Sequence, residues 1–320
     1  MRVVVSGGSG FLGSHLCEAL LGRGDAVCCL DDFSTGRAAN VAHLRTRPGF
    51  ACVPCDVTEG VRVGGRVDAV MHLASPASPA DYARRPLQTL AAGSRGTEHL
   101  LDLAVRHHAR FVLASTSEVY GDPLVHPQRE DHWGHVNPVG PRSAYDEAKR
   151  FAEALTTAYR TARGADTGIA RIFNTYGPRM RPDDGRVVST FVCQALAGRP
   201  LTVFGDGRQT RSFCYVDDLV RGLVALLDSG LDGPVNLGNP AECTVLALAE
   251  LVLELTGAPG PVRRAPLPVD DPVRRRPDIG RARARLGWEP HVPLAEGLRR
   301  TIAHFTAARG APEPAVGRPS

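Results

Sequence analysis

The chain predicts an α/β fold: a doubly wound parallel sheet with helices on both faces and a smaller C-terminal lobe. Three observations carry this expectation. Short β-branched runs alternate with longer helical patterns through the first half of the 320 residues. A glycine-rich turn, Gly7-Gly8-Ser9-Gly10-Phe11-Leu12-Gly13, follows the first run and leads straight into a helical pattern. Beyond residue 174 the alternation gives way to Pro- and Gly-rich connections between shorter elements, as expected of a lobe laid over the strand ends.

Taken in order, the β-branched runs predict strands at 2–6, 26–31, 50–55, 67–72, 109–114 and 167–172. The spacing of Leu87, Leu90, Leu100, Leu101 and Leu103 predicts one long helix over 87–106, and a second is expected over 145–163. The connections Tyr176-Gly-Pro178, Arg181-Pro-Asp-Asp-Gly185 and Phe204-Gly-Asp-Gly207 punctuate the later elements. Residues 1–173, with part of 212–240, are expected to form a Rossmann-type domain, residues 174–310 mainly the second lobe, and 311–320 a disordered tail.

A hydrophobic content of 43% supplies a large core, and a net charge of +4 spread along the chain makes no case for nucleic-acid binding. The N-terminus enters a strand at once (Arg2-Val-Val-Val-Ser6), and no apolar run is long enough to cross a bilayer, so a cytoplasmic protein is expected. Of the eight cysteines, Cys52-x-x-Cys55 lacks a second pair at zinc-ligand spacing; buried thiols are expected, ahead of metal or redox chemistry, with no metal site.

The glycine turn suits a pyrophosphate. Backbone approaches phosphate closely only without intervening Cβ atoms, and a helix N-terminus offers unpaired N–H groups. Gly8, Gly10 and Gly13 fit Gly-x-Gly-x-x-Gly, while Gly7, Gly10 and Gly13 fit Gly-x-x-Gly-x-x-Gly, and the sequence leaves both registers open. The second strand ends at Asp31-Asp32, 18 residues beyond Gly13, where an acid binds ribose hydroxyls and repels a 2′-phosphate. NAD is therefore the expected cofactor, against the plain alternative of a glycine turn beside a solvated acidic strand end.

Lys149 is the only lysine; the remaining 37 of the 38 basic residues are Arg. It stands four residues after Tyr145, so both side chains share a helix face. A compact ammonium beside a phenol is a role that a planar guanidinium fills poorly. The strand at 109–114 runs into Ser115-Thr116-Ser117-Glu118, which places hydroxyls and a carboxylate at a strand's carboxyl end, where open parallel sheets bind ligands. A nearby ammonium and a cationic nicotinamide ring both favour a Tyr145 phenolate, which would serve as a base.

On these residues the chain resembles the extended short-chain dehydrogenases/reductases of the nucleotide-sugar epimerase and dehydratase group, most strongly the UDP-glucuronate decarboxylases. The matching stretches include His72-Leu-Ala-Ser-Pro-Ala-Ser-Pro79, Ser115-Thr-Ser-Glu-Val-Tyr-Gly-Asp-Pro123, Trp133-Gly-His-Val-Asn-Pro138 and Arg171-Ile-Phe-Asn-Thr-Tyr-Gly-Pro-Arg-Met180. Asp184-Gly-Arg-Val-Val-Ser189, Leu201-Thr-Val-Phe-Gly205, Gln209-Thr-Arg211 and Val235-Asn-Leu-Gly-Asn-Pro240 continue the match, which covers residues 1–305.

The resemblance implies a redox-neutral cycle on a UDP-sugar, with NAD reduced and reoxidised, a 4-keto intermediate, loss of carbon dioxide and UDP-xylose as product. It implies that Tyr145 takes the O4 proton, Thr116 hydrogen-bonds O4, Ser117 and Glu118 orient the sugar, and Arg275 acts in sugar binding and C5 protonation. For the cofactor it implies Gly7, Gly10, Phe11, Leu12 and Gly13, then Asp31, Asp32, Ser34, Thr35 and Gly36, then Asp56, Val57, Leu73, Ser75 and Thr175, besides Tyr145 and Lys149. For the substrate it implies Tyr159, Asn174, Arg181, Arg186, Val188 and Ser189, with Phe204 on uracil, Gln209, and Arg211 on the diphosphate.

One departure stands out: family members commonly carry Lys-Thr-Asn where this chain has Ala91-Ala92-Gly93, and Arg95 and Arg181 are the basic residues available instead. A UDP-glucuronate 4-epimerase, another nucleotide-sugar epimerase or 4,6-dehydratase, and an NAD-binding regulator without catalysis are the alternatives. The absence of an Asp before Glu118 speaks against the dehydratase, and Glu118 in place of a small residue speaks against the epimerase. A homodimer through 87–106 and 145–163 is implied by the resemblance.

Overall fold

The computed structural model describes residues 1–267 and 274–310. The expected tail at 311–320 lies outside the described residues. The first half runs β1 (Arg2–Ser6), α1 (Phe11–Gly22), β2 (Ala26–Asp31), β3 (Phe50–Pro54), β4 (Ala69–His72), α2 (Pro79–Arg84), α3 (Pro86–Ala91), α4 (Thr97–His107), β5 (Arg110–Thr116), α5 (Ser143–Arg163) and β6 (Thr167–Ile172). It continues through β7 (Thr175–Tyr176), α6 (Val187–Leu196), β8 (Leu201–Phe204), β9 (Thr210–Ser212), β10 (Cys214–Tyr215), α7 (Val216–Asp228), β11 (Pro234–Leu237), β12 (Glu242–Thr244) and α8 (Val245–Thr256). The last elements are β13 (Val262–Ala265), β14 (Arg274–Arg275), α9 (Gly280–Leu286) and α10 (Leu294–Gly310).

Seven strands form one sheet in the order β11-β6-β5-β4-β1-β2-β3, and every pairing in it is parallel. Both faces are covered, and β1 shows how: Val3 and Val5 enter a core with Leu16 and Leu20 of α1, whereas Val4 enters a second core with Leu100 and Leu101 of α4. This is the period-2 alternation of a strand buried on both sides. The strand order reverses between β1 and β4, and there the carboxyl ends of the strands open into a crevice.

The expected helix over 87–106 is interrupted. Residues 92–96 form a single wide π turn between α3 and α4. Packing is close here: a Cβ on Gly93 would sit 2.6 Å from the Ala148 carbonyl oxygen, so α5 presses directly on this backbone. A π turn re-aims the residues it carries and is common at functional sites; Ala91, Ala92 and Arg95 all line the crevice.

Small sheets in the second lobe bring distant segments together. In one of them β9 pairs with β12 and β14, which sets Arg211 opposite Arg275.

Candidate active site

The crevice is a continuous cleft of about 840 Å³ running from the glycine turn past Tyr145 to Phe204 and Arg211. At its floor Gly7 has φ +70°, and a Cβ there would lie 2.8 Å from Ala74 N. A Cβ on Gly13 would collide with the Gly7 carbonyl, so α1 can start only where glycine leaves room. Gly8 is equally confined, because its Cβ would lie 2.6 Å from Cys29 Sγ. Packing therefore requires glycine at 7, 8 and 13, while at Gly10, common to both registers, a Cβ would lie 3.1 Å from the Gly7 carbonyl oxygen.

The N-terminus of α1 has no capping side chain and no acid in its first turn. Its N–H groups and positive potential are free for an anion. Asp31 Oδ2 accepts from Ser9 N at 2.8 Å and Oδ1 from Phe33 N at 2.9 Å, so this buried carboxylate ties the turn to the loop after β2. Asp32, Ser34, Thr35, Gly36, Asp56, Val57, Leu73, Ser75 and Thr175 line the same half. Ser75 Oγ is buried and has no partner among the described residues, as a wall built to face a polar ligand would leave it. The uncapped helix end, the glycine cradle and the acid at β2's end fit a dinucleotide.

The residues expected to react lie where β5 ends. Thr116 Oγ1 caps the turn after it, accepting from Glu118 N at 3.2 Å, and the Thr116 hydroxyl is a hydrogen-bonding neighbour of the Tyr145 phenol. Lys149 Nζ donates to Ala114 O at 2.9 Å and lies 6.0 Å from the Tyr145 ring centroid. Burial lowers the Lys149 ammonium to about 8 and pushes the Tyr145 phenol up to about 12. Desolvation outweighs the Thr116 hydrogen bond, so burial opposes the phenolate that the ammonium and a cationic nicotinamide ring would favour.

Glu118 is clamped by two arginines. Arg275 Nη2 donates to Oε2 at 3.0 Å while its Nη1 lies 2.8 Å from Oε1 as an ion pair, and Arg142 Nη2 donates to Oε2 at 2.6 Å. Burial would raise this carboxyl, but Arg275 and then Arg142 hold it below the usual range. Arg275 also reaches Asn174 Oδ1 at 3.3 Å. Within the run 274–276 only Arg275 is buried, which separates it from a solvated basic stretch.

Most of the expected substrate residues line the far half: Asn174, Arg181, Arg186, Val188, Phe204, Gln209 and Arg211, with Ser117 nearer the centre. Two do not. Tyr159 sits about 21 Å along α5 from Tyr145 by helix rise, and its hydroxyl donates to Asp102 at 2.8 Å outside the cleft. Ser189 is fully buried behind the wall, donating to Asp184 Oδ1 at 2.6 Å.

Other residues were missed by sequence reasoning. Arg142, three positions before Tyr145, could have been found by that spacing; Tyr82 and Asn40 carried no signal of their own.

A parallel sheet with a dinucleotide cradle at its reversal point and a Tyr-Lys pair beside it defines a nicotinamide-dependent enzyme of the short-chain dehydrogenase kind. The chain belongs to the NAD-dependent epimerase/dehydratase family, whose model matches residues 3–238. Among similar proteins, UDP-glucuronic acid decarboxylase 1 of Arabidopsis thaliana is 53% identical over 305 residues, covering 95% of this chain and 70% of that protein. The Danio rerio protein of the same name is 52% identical, covering 95% and 72%. Among solved structures, UDP-glucose 4-epimerase of Thermotoga maritima aligns with TM-score 0.88 and 29% identity over 97% of this chain and 100% of that one. The UDP-glucuronic acid 4-epimerase of Bacillus cereus, in complex with UDP-glucuronic acid and NAD, aligns with TM-score 0.86 and 28% identity over 96% and 100%.

Proposed function

We propose that this chain is an NAD-dependent carboxy-lyase that converts UDP-glucuronate to UDP-xylose through a 4-keto sugar. The observation that carries the reading is the gathering of Thr116, Tyr145, Lys149 and a doubly clamped Glu118 in one cleft, in a chain 53% identical to a UDP-glucuronic acid decarboxylase.

The glycine turn, Asp31 and Lys149 would hold NAD, which when bound would supply a reversible hydride acceptor for C4 of the sugar. The protein does the rest. Thr116 orients O4, and Tyr145 takes the O4 proton as the ketone forms and returns it as the alcohol is restored. Lys149 fixes the cation beside that phenol. With C4 a ketone, the sugar carboxylate is β to it, and carbon dioxide leaves as electrons pass into the enolate. Glu118 and Arg275 stand on the C5 side, where Glu118 orients the sugar and Arg275 binds it and serves the return of a proton to C5.

In the substrate half, Arg211 and Arg186 offer paired donors for the diphosphate. Phe204, 43% exposed, presents a ring on which uracil can stack. Asn174, Arg181, Val188 and Gln209 complete this half.

The test is incubation of the purified protein with NAD and UDP-glucuronate, with products identified by mass and NMR. Release of carbon dioxide with UDP-xylose supports the reading. An unchanged mass with inverted C4 assigns the 4-epimerase instead, and no turnover of any nucleotide sugar assigns an NAD-binding regulator.

The same proposal includes a homodimer through α3, α4 and α5. Leu87 is 75% and Phe151 51% exposed, an apolar strip on the faces of α3 and α5. Light scattering of Leu87→Glu with Phe151→Glu should report a monomer. A cytoplasmic location agrees with eight cysteines that are all free thiols; no helix among the described residues is long and apolar enough to cross a membrane.

A further inference from the structure

We propose that Cys29 and Cys52 form a reversible disulfide, a modification site beneath the glycine turn that sets how tightly the dinucleotide is held. The two residues are directly paired in the parallel register of β2 and β3, so their side chains leave the sheet on the same face. Their sulfurs lie 3.8 Å apart. Neighbouring parallel strands run about 4.8 Å apart, within the Cα separations that disulfides span. Closing the sulfurs to about 2.05 Å needs a side-chain rotation and a small shift of one strand. β3 is the edge of the sheet, held by hydrogen bonds on one side only, so it can supply that shift.

The pair is wired to the cofactor site through Ser9. Ser9 Oγ lies 3.5 Å from Cys29 Sγ and 4.0 Å from Cys52 Sγ. The Ser9 amide donates to Asp31, and its carbonyl accepts from Arg37 N at 3.0 Å and Asn40 Nδ2 at 2.9 Å. Gly8 rests on Cys29 so closely that a Cβ would meet its sulfur. Joining the sulfurs removes both S–H groups from Ser9 and draws β3 towards β2. Asp56, Val57 and Thr58, which follow β3 into the cleft wall, move with it.

The chemistry needs a two-electron oxidant, and a peroxide supplies one. Cys52, half-buried where Cys29 is wholly buried, attacks first. Its thiolate sulfur bonds to a peroxide oxygen as the O–O bond breaks, giving a sulfenic acid and a hydroxide that takes up the proton released by the thiol and leaves as water. The Cys29 sulfur then attacks the Cys52 sulfur, the S–O bond breaks, and the hydroxyl leaves as water with the Cys29 proton. Two thiols and one hydrogen peroxide become one disulfide and two waters. Burial raises the Cys52 thiol to about 11, so the first step quickens as pH rises. Cys17, the neighbouring thiol that does most to hold the Cys29 thiol below its usual range, is the competing partner.

Both thiols lie under the cofactor half of the cleft, so the site is independent of which sugar the other half accepts. The experiment treats the NAD-loaded protein with hydrogen peroxide and reads free thiols, a peptide map under non-reducing conditions, and NAD affinity by calorimetry. The expected result is loss of two of the eight free thiols, a Cys29–Cys52 cross-link, and NAD affinity lowered by about tenfold and restored by dithiothreitol. Cys52→Ser should keep both its remaining thiols and its affinity. An unchanged thiol count, a Cys17–Cys29 cross-link, or a Cys29–Cys52 cross-link with unchanged NAD affinity would each overturn the proposal. The map and the affinity are read on the wild-type chain, so they hold even if the variant folds poorly.

Discussion

Tyr82 lies face to face on Tyr145, with ring centroids 5.1 Å apart and planes within 10° of parallel. Arg142 covers Tyr82, its guanidinium carbon 5.9 Å from the ring centroid. The proposed base is thus held from behind by a ring from α2 that is itself held by an arginine on Glu118. The Tyr82 hydroxyl is buried without a partner among the described residues. Tyr82→Phe should keep kcat within about threefold and leave Tm unchanged or raised, because an unsatisfied buried hydroxyl costs stability. Tyr82→Ala removes the stack and should lower kcat by about tenfold. Steady-state kinetics and calorimetry on the pair separate the ring from its hydroxyl.

Lys149 is 4% exposed, and its ammonium fits against the Ala114 carbonyl. A guanidinium is larger and planar and cannot occupy that place without moving β5. Lys149→Arg should reduce kcat by about a hundredfold or more. Full activity in the arginine variant would remove any special role for the ammonium.

Asp146 follows the proposed base and faces Glu118, Arg142, Arg275 and Glu147. Burial, then the charge of Glu118, raises its carboxyl to about 7. A folded pKa above the unfolded one means that the native state binds the extra proton, so stability falls as pH rises from about 4 towards 7. Asp146→Asn should therefore raise Tm little at about pH 4 and by about 2–6 °C at about pH 8. Equal shifts at both pH values would point to packing and away from ionisation.

Glu118 is the counter-charge of two buried cations. Glu118→Gln keeps the shape but leaves Arg142 and Arg275 without their anion, and breaking a buried pair from one side costs about 3 kcal/mol or more. Denaturant unfolding should show this loss together with a fall in kcat. A variant as stable as the wild type would mean that solvent reaches the arginines.

The six strands expected in the first half of the sheet appear within about two residues of their ends; for β1 a β-branched run buried in the sheet leaves a strong local signal, whereas β3 is an edge strand with a weaker one. The Tyr145–Lys149 pair was legible for a related reason: its partners are four residues apart on one helix. The clamp on Glu118 was not. Arg275 lies 157 residues away and arrives through the β9–β14 pairing, a contact made only by the folded second lobe. The π turn at 92–96 was hidden as well: it lies where α5 packs on Gly93 through Ala148, a contact between segments more than 50 residues apart. Tyr159 matched a family position, yet its place on α5 turns it towards Asp102.

At the edge opposite β3, β11 is laid against β6 after the chain has already passed through β7 to α7. Until residues 234–237 arrive, β6 presents a bare row of hydrogen-bonding groups of the kind that recruits other chains. The two lobes are consequently stitched together in chain order as well as in space. A fragment cut just past β6 would expose an adhesive margin, and during synthesis the nascent chain carries that margin until its later segments emerge.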